Sequence, residues 1–551
     1  MNADYIIDNV KIYTSDEKKP WAEAVAIKDG RFLCVGSSEE VSQYRDEHSE
    51  YLALDGKMIL PGLIDAHTHI GLSVMMGGED DTPMYDCKSK QEVLDKLKAY
   101  VRKHPFKLFY LMYFGQAEAL GEGGLHYSEI DKIVKYRPVV LMEQENHSAW
   151  MNSGALKAFK ITKTTPDPSP GYSYHEKDVN GELTGCVKEM ALMPLLEFSG
   201  DIKDKEMREG ILKLVDYLVA HGVTSVYDAG NFIKEDDFYR ILADLDRKGR
   251  LPIRVEGTHI INHPNKVEGA VEQFKRLKAK YTTDNIKFKT MKIMLDGTQR
   301  IHTAKMIEPY ADTGTTGGTL IPEEKLYQFI LELNEEKIDF HLHTVGEGAI
   351  RMVMDCVERA IDNIGRPLDI IVTCAHVEVL HPDDVGRFKK LGITANFTPS
   401  WHGGSCASDI SSMIKLLGEE RAYNTLSAKS VVDTGAEVTF SSDEVSLHEL
   451  ECWSPFYGME VGHTRQDVNA GGKDAPVFPS ENECLSLESL VKGYTISAAK
   501  ALRLDDRIGS IEAGKEADLI VLSENLFDMN KYEINKIAPE KVMIKGRFVR
   551  G

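Results

Sequence analysis

Lys57-Met-Ile-Leu-Pro-Gly-Leu-Ile-Asp-Ala-His-Thr-His69 is an apolar run of strand length that contains Pro61 and Gly62 and ends in two histidines one residue apart. Side chains alternate across a strand, so His67 and His69 point to the same side. Two imidazoles at the carboxyl end of a buried strand are spaced to share one metal ion. A His-x-His pair alone does not make a site, because a tetrahedral ion needs further ligands. The rest of the chain must supply them.

Upstream, residues 4 to 60 alternate in short strand-like pieces: Tyr5-Ile-Ile-Asp-Asn-Val-Lys-Ile-Tyr13, Ala22 to Ile27 and Arg31 to Gly36, with Asp29-Gly30 as a hairpin signal between the last two. The far end repeats the style in Ala517-Asp-Leu-Ile-Val-Leu522 and Val542 to Val549. Neither end has enough strands for its own core, so residues 1–60 and 506–551 are expected to pair into one small β-sandwich domain. Between them, strand-like and helix-like segments alternate, as parallel strands joined by helical crossovers do. After the first strand the candidates are Val223–Tyr227, Ile253–Gly257, Met291–Leu295, Phe340–His343, Ile370–His376, Thr394–Phe397 and Val438–Asp443, with Ala349–Ile361 among the intervening helices. Eight alternating units over residues 61–505 predict an α/β fold of the (β/α)8 TIM-barrel type. The interval from about Ser73 to Lys205 is longer than a crossover needs, so an inserted subdomain is expected there.

Composition narrows the function classes. Lysine and arginine number 66 against 87 acidic residues, a formal net charge of −21 over 551 residues, which disfavours nucleic acid or an anionic membrane as partner. No apolar run approaches the roughly 18 residues of a membrane span, and no leader-like segment opens the sequence. The eight cysteines, Cys34, Cys87, Cys186, Cys356, Cys374, Cys406, Cys452 and Cys484, lack paired spacing and read as reduced thiols. A cytoplasmic enzyme acting on a small molecule is the expectation.

Barrels gather their chemistry at the carboxyl ends of different strands. Here Lys292 lies within the fourth candidate strand, His341 and His343 end the fifth, His376 ends the sixth and Asp443 ends the eighth. With these residues the chain resembles the amidohydrolase superfamily, in its branch related to N-substituted formamide deformylase (amidohydrolase family 3). Pro61 to His69 is similar to the superfamily's first-strand motif, and Gly509-Ser-Ile-Glu-Ala-Gly-Lys-Glu-Ala-Asp-Leu-Ile-Val-Leu522 to its return into the small domain. His147-Ser-Ala-Trp-Met-Asn-Ser153, Thr184-Gly185 with Glu189, and Lys292 followed by Asp296-Gly297 match at the level of the branch.

The resemblance implies a metal site of His67, His69, Lys292, His343, His376 and Asp443, holding one or two divalent ions, zinc on the imidazole-rich set, and a homodimer. A lysine near its usual pKa of about 10.4 offers no lone pair. In relatives with a lysine at this position the side chain is N6-carboxylated to a carbamate, and the alternative here is a buried ion pair of Lys292 with Asp296. His343 fits the family's fifth-strand ligand, leaving His341 a supporting place; His376 is favoured over His381, which precedes Pro382 and opens a helix. The implied reaction is metal-assisted hydrolysis of a non-peptide C–N bond in a small amide, formamide or cyclic amide, with Asp443 as the proton-transferring carboxylate. Deamination or decarboxylation on the same scaffold, or a catalytically silent binding protein, are the alternatives.

The chain departs from the branch where substrates would bind. Asp296-Gly-Thr-Gln-Arg-Ile-His-Thr-Ala304 carries His302 in place of the branch's arginine, Glu347 and Gly348 replace Asp and Arg, and Glu145-Asn146 replaces Asp-Gly. Losing the arginine removes a planar fork suited to carboxylates. His147, Trp150, His302, Trp401 and His402 are the candidate pocket contacts.

Overall fold

Pro61 and Gly62 divide the opening run into two strands that belong to different sheets. In the computed structural model, which describes residues 2–76, 84–115, 117–121, 123–143, 146–199, 202–404, 410–445 and 450–551, Met58–Pro61 pairs antiparallel with Leu519–Leu522 and parallel with Lys11–Tyr13, while Leu63–Thr68 starts the central sheet. Glu145 and Cys406, named above, lie outside the described residues.

The central strands are β1 (Leu63–Thr68), β2 (Val223–Asp228), β3 (Arg254–Gly257), β4 (Thr290–Met294), β5 (Asp339–Thr344), β6 (Val372–His376), β7 (Thr394–Phe397) and β8 (Val438–Phe440). Every residue of all eight is buried, as strands covered on both faces must be. β1, β2 and β3 pair in parallel, and β3 pairs with Ile286–Phe288, the segment just before β4. Ile260–Ile261, just after β3, pairs with β4, and β4 through β8 follow in parallel order. Past the end of β8, Asp443 N–H donates to the His67 carbonyl at 2.9 Å, tying the last strand to the first. Helices occupy the crossovers. Glu347–Ile364, longer than the Ala349–Ile361 read from the sequence, buries Ile350, Val353, Met354, Val357 and Ala360 and stops at Gly365, whose φ of +76° suits a residue without Cβ.

The two termini build two sheets that share one apolar core of Ile7, Ile12, Val25, Phe32, Ile59, Leu519, Val521 and Met543. Their orders are Arg31–Gly36, Ala24–Lys28, Tyr5–Asp8, Glu50–Ala53, and Arg547–Arg550, Lys541–Ile544, Leu519–Leu522, Met58–Pro61, Lys11–Tyr13, Trp21–Ala22. Tyr5–Tyr13, read as one strand, breaks at Asn9 (φ +54°) and contributes to both sheets. The Asp29–Gly30 hairpin forms as expected, with both residues at positive φ.

Between β1 and β2 stands a five-stranded sheet, Tyr174–Lys177, Leu183–Lys188, Ser148–Met151, Val139–Glu143 and Tyr110–Phe114 in order, backed by Lys90–Lys103. Among the described residues no helix is long and apolar enough to cross a membrane, and none of the seven described cysteines is in a disulfide.

Candidate metal centre

His67 occupies the penultimate position of β1 and His69 follows the strand end, so both imidazoles reach the carboxyl edge of the sheet. Asp65, two residues earlier on the same face, accepts from the backbone N–H and the hydroxyl of Ser442 at 3.1 and 2.6 Å, which clamps the segment after β8 against β1. Asp443 is thereby held three residues beyond β8 rather than on it, at φ +49°, a backbone cost that sites of chemistry tend to carry. Its Oδ1 lies 3.1 Å from His67 Nε2 and 3.5 Å from His69 Nε2; its Oδ2 lies 3.4 Å from His376 Nδ1. Donor atoms of His67, His376 and Asp443 all fall within 4.8 Å of one another, a spacing one cation can satisfy.

Lys292, central in β4, donates from Nζ to His67 Nε2 at 3.2 Å. His341 stands level with Lys292 across the β4–β5 ladder, and its Nε2 is 3.0 Å from His67 Nδ1. It therefore steadies His67 from behind, with Tyr227 against its other side at 4.8 Å between centroids. His343, two residues on, packs its ring 4.4 Å from that of His376 and donates from Nδ1 to Asp296 at 3.3 Å. Asp296 thus serves His343, and also accepts from the backbone N–H groups of Val345, Gly346 and Lys305; the buried Lys292–Asp296 pair entertained from the sequence is not what holds it.

Burial sets the protonation states. It pushes His69 down to about 4 and His343 to about 3, and holds His67, His341 and His376 well below the usual histidine value, so all five rings are neutral donors near pH 7. Burial likewise lowers Lys292 to about 7, against the pull of the Asp443 charge, and raises the Asp443 carboxyl above its ordinary range despite His69 and Lys292 nearby. His376 is buried with neither ring nitrogen hydrogen-bonded, a costly state for an imidazole unless a cation takes one lone pair. The donor set and that orphaned ring fit a divalent metal.

The pocket candidates divide. Trp401 stacks on His376 at 5.5 Å and 13°, and His147 lies 5.9 Å from His343 between ring centroids. Trp150 instead sits in the core of the inserted sheet, edge-on to Phe114 at 5.5 Å, because its strand turns it toward that layer. His302 turns to Asp312 at 3.0 Å and to Tyr310, and His402 is buried beside Phe397 with both nitrogens unpaired. His381 accepts from Asp383 N–H and caps the short helix Pro382–Asp384. Asp65, which the sequence reading left without a part, clamps Ser442, and Glu189 and Asp296, which it named only as motif matches or as a partner for Lys292, hold His147 and His343. The signal available was a carboxylate inside an apolar run for Asp65, and the motif match for Glu189 and Asp296.

The family model described as "Amidohydrolase family" matches residues 50–550. "Protein LONG AFTER FAR-RED 3" of Arabidopsis thaliana is 27% identical over 96% of this chain and 88% of its own length. "N-substituted formamide deformylase" of Arthrobacter pascens is 26% identical over 98% and 97%. Among solved structures, an uncharacterized metal-dependent hydrolase from Pyrococcus horikoshii superposes with a TM-score of 0.68 at 21% identity, covering 96% of this chain and 99% of that one.

Proposed function

The chain belongs to the amidohydrolase family and is a hydrolase of carbon–nitrogen bonds, and from that premise we propose that it cleaves a non-peptide C–N bond in a small amide, formamide or cyclic amide, with water as nucleophile. The observation that carries this reading is the convergence of His67, His376 and Asp443 donor atoms within 4.8 Å, with Lys292 Nζ 3.2 Å from His67. His67, His69, His343, His376 and Asp443 would hold one or two divalent ions, zinc by preference for an imidazole-rich set. When bound, such an ion supplies Lewis acidity toward a carbonyl oxygen and brings the pKa of a water to about 7. Lys292 is read as carrying an N6-carboxylate: an amine lowered to about 7 by burial has an uncharged fraction near neutrality, and only that form takes up carbon dioxide.

Asp443 receives the proton of the attacking water and passes it to the departing nitrogen. Its contacts with His67, His69 and His376 keep the carboxyl at the centre of the donor set, within reach of both partners. The eight central strands are read as a closed (β/α)8 barrel, the terminal sheets as a β-sandwich, and the enzyme as a cytosolic homodimer.

The test is metal analysis of protein purified without chelator, together with amine release from a panel of N-formyl and N-acyl amines. Asp443→Asn should keep most of the metal and lose turnover by about 10²–10⁴-fold, the usual worth of a proton-transfer group. Retained turnover removes Asp443 from that role; ammonia as the only amine product favours deamination, and a metal-free, inactive wild type overturns the reading.

A further inference from the structure

The inserted sheet carries an exposed apolar face that the chemistry of the metal centre does not use. Phe106 and Leu108, in the segment before Tyr110–Phe114, are 92% and 82% exposed, and Tyr136, before Val139–Glu143, is 87% exposed. Arg137 ties the two segments together: its guanidinium donates to the carbonyls of Pro105 and Lys107 at 2.6 and 3.2 Å and lies over the ring of Tyr110. The two strands are parallel neighbours, so all three apolar side chains stand at one end of the sheet. His147 follows the opposite end of Val139–Glu143, a strand length of about 16 Å away. Single exposed apolar residues need no explanation, but three large ones held together and almost fully in water do.

Charge says what such a face would meet. Residues 98–110 and 132–142 hold seven lysines and arginines and no acidic residue, in a chain whose net charge is −21. Arg102, Lys103, Lys132 and Lys135 flank the apolar tips and are exposed. The nearest acids in sequence are engaged or set back. Glu129 pairs with Lys90 at 3.3 Å, Asp131 accepts from the Ser153 backbone N–H at 3.0 Å, and Asp95 lies two helical turns before Arg102. The face is therefore strongly positive on a molecule that is otherwise negative.

We propose that this face seats the enzyme on an anionic phospholipid surface, with Phe106, Leu108 and Tyr136 entering the headgroup layer and Arg102, Lys103, Lys132 and Lys135 set against the phosphates. Apolar tips within a basic collar are what such a surface holds, buried apolar area and charge each adding to the affinity. The net charge turns the rest of the molecule away from an anionic surface, so this is the one face it presents. Side chains standing this clear of the protein form no groove for a rigid partner and suit a medium that yields around them. Leu108 has no flat face on which a nucleic-acid base could stack. Two copies meeting across a two-fold axis would set the same cations against each other. Docking of this kind is independent of the reaction at the metal centre.

The experiment is co-sedimentation of the full chain with vesicles of phosphatidylcholine alone and of phosphatidylcholine with one third phosphatidylglycerol. Wild type should bind the anionic vesicles at least about tenfold more tightly, and should be released as salt shortens the screening length from about 10 to 3 Å. Phe106→Ser/Leu108→Ser/Tyr136→Ser should weaken binding by about tenfold or more at an unchanged melting temperature, since all three side chains are exposed. Lys103→Gln/Lys132→Gln/Lys135→Gln should weaken it by about 100-fold, each lysine near the surface counting for about fivefold. The same change at Lys205, Lys278 and Lys325, on other helices, should alter binding by less than about threefold. No binding by wild type, or equal losses in the two lysine sets, overturns the inference. So does a serine variant that keeps its vesicle affinity and changes its oligomeric state in light scattering, which would give the face to a second copy.

Discussion

His341 offers the plainest case of a side chain that acts on its neighbour. Its Nε2, 3.0 Å from His67 Nδ1, determines which His67 nitrogen faces the centre. Removing such a support usually costs about 10–100-fold in metal affinity. His341→Phe should therefore weaken metal binding by that order in a competition titration with a chelator, with the fold and the ligand residues intact; unchanged affinity would make His341 a packing residue. The residues proposed as ligands stand out in the sequence because each is a polar group within or at the end of an apolar run. The roles of Asp65, Glu189 and Asp296 were not legible there, since each binds a group 42 to 377 positions away that only the tertiary fold brings near. Trp150 and His302 looked like pocket residues by their neighbours in sequence, yet the strand register and the Asp312 carboxylate take them elsewhere.

At the scale of elements, all eight central strands were visible as apolar stretches between helical ones, with Thr394–Phe397 found at its bounds and most others within two residues. What apolarity does not encode is the sheet a strand joins. Lys57–His69 and Tyr5–Tyr13 each read as one strand and are each two, because a backbone break at Gly62 or Asn9 redirects the chain without interrupting its hydrophobic character. Gly62 is where the terminal sheet hands over to β1, and a Cβ there would lie 2.5 Å from the Thr224 side chain of β2. Gly62→Ala should cost about 1–3 kcal/mol, the range for overpacking, in a denaturant titration. Trimming the obstacle in Gly62→Ala/Thr224→Ser should return part of that loss, and no recovery would point to the backbone rather than the clash.

Across the whole molecule, the termini and the barrel are joined by a buried charge cluster far from the chemistry. Arg254, at the start of β3 and 6% exposed, pairs with both Glu516 and Asp518 of the terminal region. Deleting one partner of such a cluster leaves uncompensated buried charge, which typically costs about 3–5 kcal/mol. Arg254→Met is expected to lower the melting temperature markedly and leave KM and bound metal unchanged at 20 °C or below, since the guanidinium sits at the amino end of its strand and the ligands at the carboxyl ends of theirs. A change in metal content without loss of stability would contradict that separation of duties.

Met58–Pro61 is zipped to Leu519–Leu522, and five residues past Gly62 the same chain delivers His67. The strand that aims the leading histidines is thus seated by a segment far along the chain. Docking of Leu519–Leu522 onto Met58–Pro61 thereby couples the aim of the leading histidines to the closing of the terminal sheet.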